Sequence, residues 1–111
     1  MTEEALKQEV DAVVWDEQQD VSTSVRSLLY RELKCRFFHG FIAEIKAWAR
    51  SKAEEHRKKQ REFDSIMRTV RTNLKDEDHH LSLQKLSRHH GNIAERYSIV
   101  EITCVNVQIY C

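Results

Sequence analysis

The longest uninterrupted stretch of this 111-residue chain covers residues 22–75, which contain no proline and a single glycine, Gly40. Apolar residues recur along its first half at steps of three and four, which places them on one side of a helix. As one continuous helix the stretch would be about 80 Å long, whereas a compact domain of this size has a radius of gyration of about 13 Å. The stretch therefore predicts either a long helix that projects or pairs with another chain, or a pair of helices.

The formal net charge of zero hides an uneven distribution of charge along the chain. The first twenty residues carry seven acidic and one basic side chain, residues 21–75 carry six acidic and fourteen basic, and residues 76–111 carry five acidic and three basic. With 32% charged residues, the chain resembles proteins built from long exposed helices. We expect the acidic head either to fold back on the basic stretch or to bind a partner of opposite charge.

The pattern predicts a single, mostly α-helical domain over residues 1–111. Residues 1–20 form a short acidic helix, residues 22–75 a long central helix or a helical hairpin or bundle, and residues 78–97 a shorter helix. Residues 98–111 are rich in β-branched side chains and partly alternate between apolar and polar, which predicts an extended, strand-like tail. Because no second strand of comparable quality exists, the tail would pair with a copy of itself, extend a partner's sheet, or stay disordered without a partner.

Few residues mark the helix boundaries. Residues 20–24 compete for backbone hydrogen bonds and offer a new N-cap, while Gly91 is expected to end the third helix early. Trp15 falls off the apolar stripe of the first helix, so we expect it to be exposed or to touch a partner. That stripe consists of Leu6, Val10, Val13 and Val14.

The central stretch divides into an apolar and a polar half. Residues 25–49 carry an apolar face that two short helices would not easily cover, so we expect it to pack on another chain, in a homo-oligomeric bundle or coiled coil or in a larger assembly. Within residues 50–62, Ala53 is the one apolar side chain, which predicts a solvated helix or a polar loop. The expected partner-binding residues are Leu29, Tyr30, Arg31, Leu33, Phe37, Phe41, Ile45 and Trp48.

The histidines and cysteines suggest neither a metal site nor a catalytic site. The pairs at residues 79–80 and 89–90 would stand about 15 Å apart along one helix, too far for one ion with Zn–N bonds of about 2 Å. Cys35, Cys104 and Cys111 have no framework spacing and no base at a recognisable distance, which indicates reduced thiols in an intracellular, cytoplasmic protein. We therefore expect no enzyme activity, no cofactor and no membrane span.

The tripeptide Leu29-Tyr30-Arg31 lies within an amphipathic pattern. Its neighbours at helical spacing are Val25, Leu28, Leu33, Lys34 and Phe37. This segment resembles the start of the LYR-motif proteins, small basic three-helix mitochondrial adaptors that dock on iron–sulfur or respiratory-complex machinery. The resemblance implies a mitochondrial adaptor or assembly factor that captures its partner through Tyr30 and Arg31. The family places the motif near the N-terminus, whereas here twenty-eight residues come first.

Three functions remain open from the sequence. The first is a non-enzymatic scaffold or assembly subunit of a cytoskeletal, ciliary or other multi-subunit structure. The second is the LYR-type adaptor. The third is a helical nucleic-acid-associated protein, because residues 46–61 carry seven basic and two acidic side chains that could lie along phosphates.

Overall fold

The computed structural model describes residues 3–32, 39–71 and 77–110, and the side chains within 3–31, 42–69 and 81–107. These residues form four α-helices, and none of the described residues lies in a β-strand. The helices are α1 (Glu3–Trp15), α2 (Val21–Glu32), α3 (His39–Arg71) and α4 (Glu77–Tyr110). The predicted mostly helical fold is confirmed, and the central stretch is a pair of helices.

The two long helices α3 and α4 pack side by side as an antiparallel hairpin. Their 33 and 34 residues correspond to about 50 Å of helix each, which explains the elongated shape of 59 × 23 × 22 Å. Two contacts show that the helices run in opposite directions. Arg57 of α3 bonds to Ser98 of α4, and Asp64, which comes later in α3, bonds to Ser87, which comes earlier in α4.

The polar residues 50–62 lie inside α3 and are therefore helical rather than a loop. Their outer side carries exposed ion pairs between residues four apart, Arg50 with Glu54 and Lys59 with Glu55. Their inner side is buried at Ala53 and His56. Ala53 and His56 therefore continue the buried face of α3 through this polar stretch.

The C-terminal prediction is wrong, because residues 98–110 continue α4 and form no extended tail. The buried residues Val100, Cys104 and Val107 are spaced four and three apart, which is helical spacing that the β-branched composition obscured. Strand propensity is a weak preference that packing overrides. Burial against the other helices therefore decides the conformation of this segment.

Gly91 also lies within α4 and does not end the helix as predicted. A Cβ atom at this position would lie 2.7 Å from Nε2 of Gln60 on α3. The glycine therefore lies inside the helix at a point where the end of the Gln60 side chain from α3 contacts α4.

The short helices α1 and α2 pack against one half of the hairpin. The apolar stripe predicted for α1 is buried against α2, α3 and α4. Asp20 caps α2, since its Oδ1 accepts a hydrogen bond from the backbone N–H of Ser22 at 3.1 Å. The four helices together bury residues 42–56 of α3 and 93–107 of α4 on their inner faces. The other half of the hairpin, residues 57–69 and 81–92, extends beyond this bundle, and we call it the arm.

Candidate functional site

The residues predicted to bind a partner are dispersed between the core and the surface. Leu29 and Ile45 are fully buried within the chain itself, so they offer no free surface. Tyr30 is exposed, and Arg31 beside it forms an ion pair with Glu9 at 2.6 Å. The remaining four are Trp48, which is half-buried against the ring of Tyr97, Leu33 and Phe37, which lie outside the described residues, and Phe41, whose side chain lies outside them.

An apolar stripe on α4 passes from the bundle into the arm. Val107, Val100 and Ile93 are seven residues apart and have exposed fractions of 1%, 0% and 4%. Leu86, the next position at the same spacing, is 42% exposed. Residues seven apart lie on nearly the same side of a helix, so Leu86 occupies the face that α1 and α2 cover further along. The helices α1 and α2 do not extend far enough along α4 to cover Leu86.

The facing stripe on α3 behaves in the same way. Ile42, Ala49 and His56 are buried at seven-residue spacing, whereas Phe63 is only half-buried. Ile66, one turn further, is 44% exposed. We call the surface formed by Phe63, Ile66 and Leu86 the open groove.

A cluster of aromatic rings closes the bundle where the arm begins. The rings of His56 and Tyr97 stack with centroids 5.8 Å apart, and His56 also stacks on His90. Trp15, the last residue of α1, touches His56 edge-on at 5.7 Å. We call Trp15, His56, His90 and Tyr97 the junction cluster.

Hydrogen bonds connect the junction cluster to α1. The Tyr97 hydroxyl donates to Oδ1 of Asp11 at 2.7 Å and accepts from Nε1 of Trp15 at 3.1 Å. Burial, together with the Asp11 carboxylate, raises the pKa of Tyr97 well above its usual value. Tyr97 therefore stays neutral and holds both residues of α1 against the hairpin.

The imidazoles of the buried His56 and the half-buried His90 face each other within the cluster. Nδ1 of His56 lies 3.0 Å from Nδ1 of His90, so one nitrogen donates and the other accepts. Burial lowers the pKa of both rings, and for His56 the charges of His90 and Lys59 lower it further while Glu55 opposes them. Both rings therefore favour the neutral form.

Arg96 fastens the end of α1 to α4. Its Nε donates to the Val14 carbonyl at 2.6 Å, and its Nη2 donates to the carbonyls of Val13, Asp16 and Gln19 at 3.1, 2.6 and 3.0 Å. Carbonyl groups at the end of a helix have no partner within that helix. One guanidinium thus satisfies the carbonyl groups where α1 ends and sets how far α1 reaches along the hairpin.

The structure gives the histidines and Cys104 particular environments. Among the side chains that the structure describes, no three histidine, cysteine or acidic groups converge as metal ligands, and the side chains of His79 and His80 lie outside that set. Cys104 is buried in the core, and burial raises the pKa of its thiol to about 12. The pairing of His56 with His90 was not predicted from the sequence. The seven-residue spacing from Ile42 through Ala49 to His56 is the signal that could have found it.

Comparison with protein-family models, with curated proteins and with solved structures found no match to this chain. In the described parts of the chain, no helix is both long enough and apolar enough to cross a lipid bilayer.

Proposed function

We propose that this chain is a non-enzymatic helical assembly subunit that binds a partner chain in the open groove of its arm. The observation that carries the proposal is the change along one stripe of α4, from the buried Ile93 to the half-exposed Leu86. The apolar stripe of the hairpin continues through both halves. The helices α1 and α2 bury it in the bundle half and leave it exposed in the arm.

The open groove supplies a driving force for association. Fully burying a leucine, isoleucine or phenylalanine side chain contributes about 1.5–3 kcal/mol. Leu86 and Ile66 still expose nearly half of their surface, so covering each of them contributes roughly 1 kcal/mol. The bundle half would hold the arm in place, because Tyr97 and Arg96 fix α1 at the boundary between the two halves.

Position-specific photo-crosslinking in cells tests the proposal. A photoreactive amino acid at Leu86 should give one discrete cross-linked product, and Ile66→Asp on the same chain should remove it. The matched control is Arg88, which is also exposed but lies about 200° around α4 from Leu86. Equal products from both positions, or none from Leu86 in a chain with native circular dichroism, would contradict the proposal.

The adaptor alternative places the partner at α2 instead. Tyr30 is 44% exposed there, which leaves its ring available to a partner. A photoreactive residue at Tyr30 therefore separates the two functions. Under our proposal Tyr30→Ala leaves the Leu86 product unchanged, and under the adaptor function the product arises from Tyr30.

A further inference from the structure

We infer that the arm binds the phosphate backbone of double-stranded DNA through a face of α3 that lies opposite the open groove. This surface, which we call the basic face, consists of Arg57, Lys58, Arg61 and Arg68. It shares no residue with the open groove, so the inference goes beyond the proposed function and does not depend on it.

The spacing of the three arginines aligns them on one side of α3. Arg57, Arg61 and Arg68 are four and seven residues apart, which places them within about 40° of one another around the helix axis. Phe63 comes two residues after Arg61, and Ile66 comes two residues before Arg68, so each is about 200° around α3 from its neighbouring arginine. The arginines and the open groove therefore lie on opposite sides of the hairpin.

The charges of the basic face are exposed to solvent. The side chains of Arg57, Lys58, Arg61 and Arg68 all belong to the exposed class. Among the described side chains, no ion pair joins Lys58, Arg61 or Arg68 to a carboxylate, and Arg57 bonds to a neutral hydroxyl of α4. All four positive charges are therefore available to a polyanion.

The acidic residues near the basic face do not neutralise it. Glu54 already forms an ion pair with the preceding turn of α3 at 3.7 Å, and Asp64 accepts a hydrogen bond between the two long helices. Glu62 lies on the side of the open groove. On α4, the exposed Glu95 lies seven residues from the exposed Arg88, on the same side of that helix, so these two charges balance each other.

The chemistry of this side of α3 fits a phosphate backbone better than a protein or a lipid surface. The exposed side chains along it are charged or carry a hydroxyl group, and they are Arg57, Lys58, Arg61, Ser65 and Arg68. A protein interface draws its affinity from a buried core that is depleted in charge. A helix on a membrane inserts an apolar face between its basic flanks. Phosphates need neither, because lysine and arginine bind them by releasing condensed counterions.

The length and composition of the basic face favour a DNA duplex over other nucleic acids. From Arg57 to Arg68 the face spans about 16 Å, and a duplex carries about ten negative charges over that length. Single strands are held largely by aromatic side chains that stack on bases, and the described side chains of this face include none. Proteins distinguish RNA from DNA through the 2′-hydroxyl, for which Ser65 is the one uncharged polar group described on this side.

Fluorescence anisotropy of the full chain with a labelled DNA duplex of arbitrary sequence tests the inference. The logarithm of the association constant should fall with the logarithm of the salt concentration with a slope of about −3 to −4, because each of the four cations displaces about 0.9 counterion. A second duplex of unrelated sequence should bind equally tightly, since phosphate contacts carry no sequence information. A chain with native circular dichroism that binds neither duplex at low salt would overturn the inference.

Neutralising variants locate the contact on α3. Arg61→Gln combined with Arg68→Gln should make the salt slope shallower by about 2 and weaken binding at low salt at least about tenfold. The matched control combines Lys52→Gln with Lys59→Gln, which removes the same net charge. These lysines precede the two arginines by nine residues each, so they lie about 180° around α3. The control should keep the wild-type slope, and equal losses from both double variants would overturn the inference.

Other polyanions and one groove variant complete the test. Tighter binding of polyglutamate, of phosphatidylserine vesicles or of an RNA duplex, compared at equal concentration of negative charge, would make that class the partner and overturn the inference. Leu86→Asp should leave duplex binding unchanged, and its loss in that variant would place the DNA in the open groove and likewise overturn the inference. Arginine-dependent duplex binding by a chain that gives no cross-link from Leu86 would support the inference and remove only the proposed function.

Discussion

The Nδ1 atoms of His56 and His90 lie 3.0 Å apart at the junction between the bundle and the arm. Only one of the two nitrogens can carry the proton that they share, so a doubly protonated pair would place two like charges and two donors in contact. The ring of Tyr97 stacks on His56, and the ring of Phe63 stacks on His90. This contact makes the boundary of the bundle sensitive to acid.

The free energy of unfolding should fall as the pH drops below about 6.5. In the unfolded chain both histidines bind protons near 6.5, whereas burial lowers their pKa in the fold. The unfolded state then binds more protons, so the stabilising effect is present above 6.5 and is lost as the pH falls through the lowered values. Each histidine contributes a slope of up to about 1.4 kcal/mol per pH unit.

Urea unfolding between pH 7.5 and about 5 measures this slope, in a range above the usual carboxyl pKa values. His90→Gln should flatten it. A His90→Gln profile parallel to wild type would show that the pair is not the titrating group.

Arg96→Ala should destabilise the fold by about 2–3 kcal/mol, because hydrogen bonds to a charged group contribute about 1.5–3 kcal/mol. The variant removes the guanidinium donor from four carbonyl oxygens in and just after the last turn of α1, of which those of Val13 and Asp16 keep a backbone N–H donor. Arg96→Lys should recover only part of the loss, since lysine lacks the planar fork. Chemical unfolding followed by tryptophan fluorescence gives the values.

The control for Arg96 is Arg88→Ala, which removes an exposed arginine from the same helix. We expect a change within about 0.5 kcal/mol, as for most surface substitutions. Similar losses from both variants would mean that the Arg96 hydrogen bonds do not hold α1.

Two alanine variants on one stripe compare the covered and the uncovered half of the hairpin. Ile93→Ala should cost about 2–4 kcal/mol, because it opens a cavity in the core. Leu86→Ala should cost less than about 1 kcal/mol, because much of that side chain is already in water. Comparable costs in a monomeric sample would mean that Leu86 is covered and that no open groove exists.

Gly91→Ala should stabilise the chain by up to about 1 kcal/mol, since glycine inside a helix is about 0.8–1.0 kcal/mol less favourable than alanine. The atom nearest to the added Cβ is the amide nitrogen at the end of the Gln60 side chain, which can rotate away. Thermal or urea unfolding of Gly91→Ala in the wild-type and Gln60→Ala backgrounds measures the effect. The full gain should appear with Gln60→Ala, and a loss in that background would mean that the backbone of α3 is the obstacle.

Local spacing and capping were enough to predict much of this molecule. Leu6, Val10, Val13 and Val14 form the predicted buried stripe of α1, because a stripe of that width can only face inward. The capping side chain of Asp20 lies in the break predicted at residues 20–24. These features depend on residues within one or two turns of each other, and such interactions can be recognised without knowing the fold.

The candidate site depends on contacts between distant segments. Tyr97 bonds to Asp11 across 86 positions of sequence, and Arg96 reaches the carbonyl of Val13 across 83. The sequence around Trp15 does not show at which point along the hairpin α1 ends. The position of that end decides which half of the hairpin keeps its apolar stripe exposed. The conformation of residues 98–110 was likewise set by burial in the bundle, because the packing energy of a core helix exceeds the small strand preference of β-branched side chains.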